Sequence, residues 1–164
     1  MPSPADRTTA RPHPTPTVGP MGRMEGIRSF SGTALRRARV ERGLSHDALA
    51  RLTGRTRGHL IHWEQGRYRP SPALLVILAQ ALDLDPLELL DVTEDTATLP
   101  DLRGRAGLAT VDVAEHLGVH PTTYRRLERG HAPLADDIAA TLAALFGTTP
   151  DRIVDAYTRV RVAR

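Results

Sequence analysis

Every one of the 22 cationic side chains in this sequence is an arginine, set against 19 acids, and seven histidines complete the basic groups. A guanidinium stays charged and presents a planar fork of donors, which suits paired acceptors better than it suits proton transfer. The stretch from Thr56 to Pro70 gathers Arg57, Arg67 and Arg69 around His59, His62 and Trp63. His59 and His62 stand at i,i+3, a spacing that two metal ligands on one helix could use, but no third ligand follows at helical spacing. Cysteine is absent, which excludes disulfides, thiolate metal sites and cysteine nucleophiles. No phosphate-binding loop and no nucleophile motif occurs either. The chemistry on offer is binding, with no call for a metal or cofactor, and the chain reads as a non-enzyme.

The formal net charge is +3. The isoelectric point near 10.1 overstates that excess, because arginine does not titrate below about pH 12. Placement of the arginines therefore matters more than their number. At 164 residues the chain accommodates two domains of roughly 60–70 residues plus tails. Apolar residues make up 40% but aromatics only 4%, so the core must be built from Leu, Ala, Val and Ile. That composition favours compact helices over a β-sandwich. No run approaches the ~18 apolar residues of a membrane span, and the N-terminus is polar and proline-rich where a signal peptide needs an apolar segment. A cytoplasmic protein without a membrane partner is expected.

The elements that must hold these side chains come in two copies. Sliding the sequence by 64 positions aligns Leu35 with Leu99, Arg39 with Arg103, Gly43 with Gly107, Leu44 with Leu108, Ala50 with Ala114 and Gly54 with Gly118. Glu64/Glu128, Gly66/Gly130, Leu78/Leu142, Ala79/Ala143 and Pro86/Pro150 follow in the same register. Eleven identities over 52 ungapped positions, several of them Gly or Pro, mark a tandem duplication. Residues 1–31, with Pro2, Pro4, Pro12, Pro14, Pro16 and Pro20, read as a disordered arm, in which Met21 and Met24 offer later translation starts. The expected units are 32–92 and 99–164, joined by an acidic linker at 93–98, and the second unit ends in a helical tail from Asp151 to Arg164.

Each unit reads as five short helices. In the first, Gly43 ends helix one, Ser45 caps helix two, which runs to Thr53, and Gly54 makes the turn. Thr56 caps helix three, which Gly66 stops after Gln65. Ser71-Pro72 opens helix four and Asp85-Pro86 opens helix five. In the second unit His120-Pro121 and Thr149-Pro150 open helices three and five. Ala109 replaces the cap Ser45, so helix two there starts at Thr110, and Pro100 cramps helix one. The run Leu74 to Leu78 is apolar all round, which predicts a buried helix four.

Helices two and three, joined through Leu49-Ala50-x-x-x-Gly54 with Leu60 and Trp63 facing inward, have the form of a helix-turn-helix. Val113-Ala114, Gly118, Tyr124 and Leu127 repeat it. Here the chain resembles the lambda-repressor/Cro-like helix-turn-helix family. Trp63-Glu64-Gln65-Gly66 with Arg67, Arg69 and Pro70 carries the signature, and Leu127-Glu128-Arg129-Gly130 matches it again. The resemblance implies an all-α fold of two tandem five-helix units. It also implies an internal ion pair between Arg39 and Glu64, and between Arg103 and Glu128.

The resemblance implies double-stranded DNA as the partner, with helix three in the major groove. With Leu60 and Trp63 inward, Arg57, Gly58, His59, Ile61 and His62 face outward. Arg57 would read guanine, Ile61 a thymine methyl, and the two histidines would donate to bases or phosphate. Ser45 and His46 would hold a phosphate at the start of helix two, and Arg67 and Arg69 would grip the backbone beyond helix three. In the second unit the outward set includes Thr122, Thr123, Arg125 and Arg126, but the post-helix arginines are missing and Asp136 and Asp137 follow. The expected function is a sequence-specific transcriptional regulator whose first unit reads DNA, the second being a further reader or an interaction domain. The competing reading is an antitoxin-like or adaptor protein acting through protein contacts. A homodimer through helix four or the tail, or another protein partner, stays open.

Overall fold

The computed structural model describes residues 26–162. Among them lie nine α-helices, one 3-10 turn and a single isolated β-bridge between Phe30 and Leu90. The first unit holds α1 (Gly32–Glu41), α2 (His46–Thr53), α3 (Arg57–Glu64), α4 (Pro72–Ala81) and the 3-10 turn Pro86–Leu89. The second holds α5 (Leu99–Arg105), α6 (Thr110–His116), α7 (Pro121–Glu128), α8 (Asp136–Phe146) and α9 (Pro150–Val162).

The boundaries follow from local chemistry. Ser31, Ser45, Thr56 and Ser71 each accept the backbone N–H three residues on, at 3.1–3.4 Å, satisfying a donor that the helix itself leaves unpaired. Gly54 and Gly118 take φ near +63° and +65°, turning the chain between the second and third helix of each unit. Ala109 has no side-chain acceptor, and Asp112 closes that helix start from the other side by accepting the Ala109 N–H at 2.7 Å. Pro100 lies in the first turn of α5, and α5 has seven residues against the ten of α1. The fifth helices differ most. In the first unit Asp85 caps a four-residue 3-10 turn, which stops because Leu90 is drawn into extended pairing with Phe30. Val154, at the equivalent position, has no such partner among the described residues, and α9 runs on for 13 residues.

Ile27, Phe30 and Ser31, assigned to the arm from sequence, are instead buried. Ile27 donates its N–H to the Pro70 carbonyl, Ser31 to Leu89, and Asp91 returns one to Ser29. Residues 26–31 thus form a strap along the first unit, held by backbone pairing and by two aliphatic or aromatic side chains, each worth about 1.5–3 kcal/mol when buried. The rest of the expected arm lies outside the described residues.

One apolar core runs through both units. Leu35, Leu49, Leu60, Trp63, Leu75, Leu78 and Leu89 fill the first, and Leu99, Val113, Tyr124, Leu142, Phe146 and Ile153 the second, within one contiguous cluster. α5 joins them. It packs on α4 and the 3-10 turn on one side and on α8 and α9 on the other. Gly104 sits against Ile27 of the strap and Gly107 against Val76 of α4. Ser29 donates to Asp101, and Arg105 reaches Asp85 at 2.7 Å. The apolar surplus of α4 is therefore spent inside the chain, against its sister unit.

Candidate nucleic-acid interface

α3 is fixed to the bundle by Leu60 and Trp63, which are 0% and 5% exposed. Its start is closed by an unusual cap in which a histidine stands where glutamate is customary. The His59 Nδ1 lies 3.1 Å from the Thr56 hydroxyl, and the ring stacks on Trp63 with centroids 5.9 Å apart. His59 is thus turned along the helix, half-buried, rather than projecting outward as the helical wheel suggested. His62 is also half-buried, its ring edge-on to Tyr68 at 5.4 Å. Arg57 and Gly58 are exposed and Ile61 half-buried, so the open face of α3 centres on its first turn. At Gly58 a Cβ would meet nothing closer than the Thr56 hydroxyl at 3.8 Å.

Ser45 and His46 open α2, and His46 lies against the far end of α3, at Glu64. The Ser45 hydroxyl accepts the Ala48 N–H at 3.1 Å as the helix cap. The His46 Nε2 lies 3.0 Å from Glu64 Oε2, so this imidazole is engaged inside the protein. Arg67 and Arg69 are exposed in the loop after α3. Gly26 of the strap lies directly over Arg69, close enough that a Cβ there would come within 2.5 Å of the Arg69 Cβ.

Glu64 closes α3 and ties it to both neighbouring helices. Arg39 of α1 donates to Glu64 from Nε at 2.7 Å and from Nη2 at 3.1 Å, and its Nη1 donates to the Leu44 carbonyl at 2.8 Å. Burial pushes the Glu64 carboxyl up, but the hydrogen bonds from Arg39 and His46 outweigh it and hold the pKa below the ordinary 4.5. The same hydrogen bond raises the pKa of Arg39. In the second unit Arg103 meets Glu128 at 2.7 Å and donates to the Leu108 carbonyl at 2.9 Å. Both ion pairs implied by the resemblance are present.

On α7, Tyr124 and Leu127 face the core, while Thr122, Thr123, Arg125, Arg126 and Arg129 are exposed. Burial pushes the Tyr124 hydroxyl well above its ordinary range, with the Glu128 charge adding to the effect. The His120 Nδ1 accepts the Thr122 N–H at 3.2 Å and serves as the cap of α7. Among the described residues no His, Asp and Glu cluster could hold a metal ion, and no helix is long and apolar enough to cross a membrane.

The helix-turn-helix domain family matches residues 32–92 and again 96–155. The chain belongs to this family. It is also 33% identical over 70 residues to a protein of Sinorhizobium fredii (strain NBRC 101917 / NGR234) described as an uncharacterized HTH-type transcriptional regulator, y4dJ. That match covers 43% of this chain and 91% of the relative, about the length of one unit. No solved structure matches the chain.

In this tandem helix-turn-helix protein the two third helices are α3 and α7. Sequence reasoning overlooked two exposed side chains next to α3, Gln65 at its end and Tyr68 at 64% exposure between the loop arginines. Tyr68 stood in the sequence as an aromatic between two arginines, Arg67 and Arg69. Arg129 was likewise legible as the next exposed position after Arg125 and Arg126. Asp136 and Asp137 are exposed at the start of α8, where carboxylates favour the helix N-terminus.

Proposed function

We propose that this helix-turn-helix protein, a DNA-binding regulator by family, reads base sequence with the first turn of α3 and holds the duplex backbone around it. Arg57 is placed to donate to a guanine edge and Ile61 to touch a thymine methyl. Ser45 at the N-terminus of α2 that His46 begins, and Arg67 and Arg69 in the loop after α3, serve as phosphate contacts in this reading. His59, engaged at its Nδ1 atom, and His62, in a T-shaped contact with Tyr68, are half-buried and contribute less than Arg57. The observation that carries this reading is the two-sidedness of α3, with Leu60 and Trp63 anchored in the core while Arg57 and Gly58 remain open to solvent, uncovered by the sister unit. The printed name of the Sinorhizobium relative, a transcriptional regulator, agrees with it.

The test is selection of bound duplexes by the full chain from a random library, followed by competition with unlabelled nonspecific DNA at fixed salt. Enrichment of one motif that survives competitor supports the reading. Retention that vanishes with competitor removes sequence reading, and no retention at all removes DNA binding.

A second reading concerns the second unit. Asp136 and Asp137 stand exposed beyond α7 where the first unit has Pro72 and Ala73, and carboxylates close to phosphate repel it. They favour α6–α7 as a weaker DNA contact or as a surface for a protein partner. A selected motif with one conserved half and one indifferent half supports that assignment.

A further inference from the structure

The two units differ most, as readers of a duplex backbone, in the loop after the third helix. The first carries Arg67 and Arg69 there, and the register equivalents in the second are His131 and Pro133. We propose that Arg161, in the last turn of α9, supplies the second unit with the phosphate-contacting guanidinium that its own loop lacks. The inference rests on the DNA-binding reading above.

The placement is built by close contacts. A Cβ on Gly130, two residues past the end of α7, would come within 2.8 Å of the Arg161 Cγ and 3.6 Å of its Cα, whereas a Cβ on Gly66 in the first unit would meet nothing within 4 Å. The corner that stands open after α3 is filled after α7 by an arginine arriving from 31 residues further along. Tyr157 fixes it there. Its hydroxyl donates to the Ala132 carbonyl at 2.7 Å, tying α9 to the loop, and the Arg161 guanidinium carbon lies 5.9 Å from the centre of its ring.

The other arginines of α9 have tasks within the chain. Arg152 lies 3.4 Å from the Glu94 carboxylate and donates to the Glu94 carbonyl, and Arg159 donates to the Ala97 carbonyl at 2.8 Å. Arg161 is exposed and has no carboxylate partner among the described residues. Arg129, the neighbour of Gly130 in the chain, is exposed as well. An exposed guanidinium with no carboxylate to neutralise it suits a phosphate backbone. The extension of α9 beyond its counterpart in the first unit is what carries Arg161 this far.

The experiment measures binding of the full chain, and of Arg161→Ala, Arg161→Gln and Arg161→Lys, to a fluorescein-labelled random-sequence duplex over a series of NaCl concentrations. Each lost phosphate contact lowers the slope of log affinity against log salt by about 0.9. Arg161→Ala and Arg161→Gln should both lose that much, and Arg161→Lys should recover it. The glutamine variant retains the stem over Gly130, so a loss shared by both variants reports charge and not packing. Slopes unchanged in both variants, or a loss in the alanine variant alone, overturn the proposal while leaving DNA binding intact. Failure of the unaltered chain to bind the duplex overturns the DNA reading and this inference together.

Discussion

The Arg39 Nε lies 2.7 Å from Glu64 Oε1 and, 64 residues on, the Arg103 Nε lies 2.7 Å from Glu128 Oε1. In each unit the same arginine also caps the carbonyl five residues ahead, so one side chain fixes the first helix, the following turn and the end of the third helix at once. The angle at which the third helix stands on the bundle is set by that clamp. Glu64→Ala leaves a buried, unpaired guanidinium and should destabilise the protein by roughly 3–5 kcal/mol. The exposed pair Arg37–Glu41, at 3.9 Å, is the control, and Glu41→Ala should change stability by less than about 0.5 kcal/mol. Urea unfolding of the two variants decides, and equal losses would remove the clamp.

Acid should weaken the same clamp. The Glu64 pKa is depressed in the folded chain, so its contribution is complete above the ordinary value of 4.5 and is lost as pH falls through the lower folded value. Between neutral pH and about pH 3, the melting temperature of the native chain should fall further than that of Glu64→Gln, which has no such proton to take up. Parallel declines in the two proteins would show that other carboxylates carry the acid sensitivity.

Arg57 and Arg69 should separate into two kinds of contact. Arg57→Ala should cost about 1–3 kcal/mol against the selected duplex and relax preference at one base position. Arg69→Ala should weaken all duplexes alike and lower the salt slope by about 0.9. A uniform loss for Arg57→Ala moves that residue to the backbone, and an unchanged slope for Arg69→Ala removes it from the footprint.

Gly32 begins α1 directly against the end of α3. A Cβ there would come within 2.3 Å of the Trp63 carbonyl oxygen and 2.7 Å of that of Glu64, and backbone atoms cannot swing aside as a side chain can. Gly32→Ala should therefore destabilise the fold by about 1–3 kcal/mol despite alanine's better helix propensity. Thermal unfolding measures it, and a rise in melting temperature would mean that α1 can shift without strain.

The strap and α5 make the first unit dependent on the second. A fragment spanning 26–92 exposes Ile27 and the flank of α4 that Gly104 and Gly107 cover. It should be less stable than the full chain by about 2–4 kcal/mol, the burial of one or two aliphatic side chains. Matching urea midpoints for the fragment and the full chain would show that the shared core adds nothing.

Most local features were legible because their causes are local. Ser45, Thr56, Ser71 and Asp85 each announced a helix start through a side-chain oxygen within three residues of the donor it satisfies. The Arg39–Glu64 clamp was legible through repetition, since both partners recur in register. What escaped depended on distant partners. Phe30 looked like the end of a polar arm because Leu90, which it pairs with, lies 60 residues away, and the same pairing cut the fifth helix to one turn. His59 sat on the outward side of the helical wheel, and its turn toward Thr56, which makes it part of the cap, depends on a side-chain rotation the wheel does not give. Arg161 was hidden in what read as a tail, because its significance lies in the loop it crosses.

The continuous core has a bearing on how such a gene can evolve. Once α5 had sunk between the strap and α4, the duplicated halves ceased to be interchangeable parts. Crossover at the acidic connection would release two fragments with raw hydrophobic flanks, so trading a single unit for a foreign one would carry a folding cost.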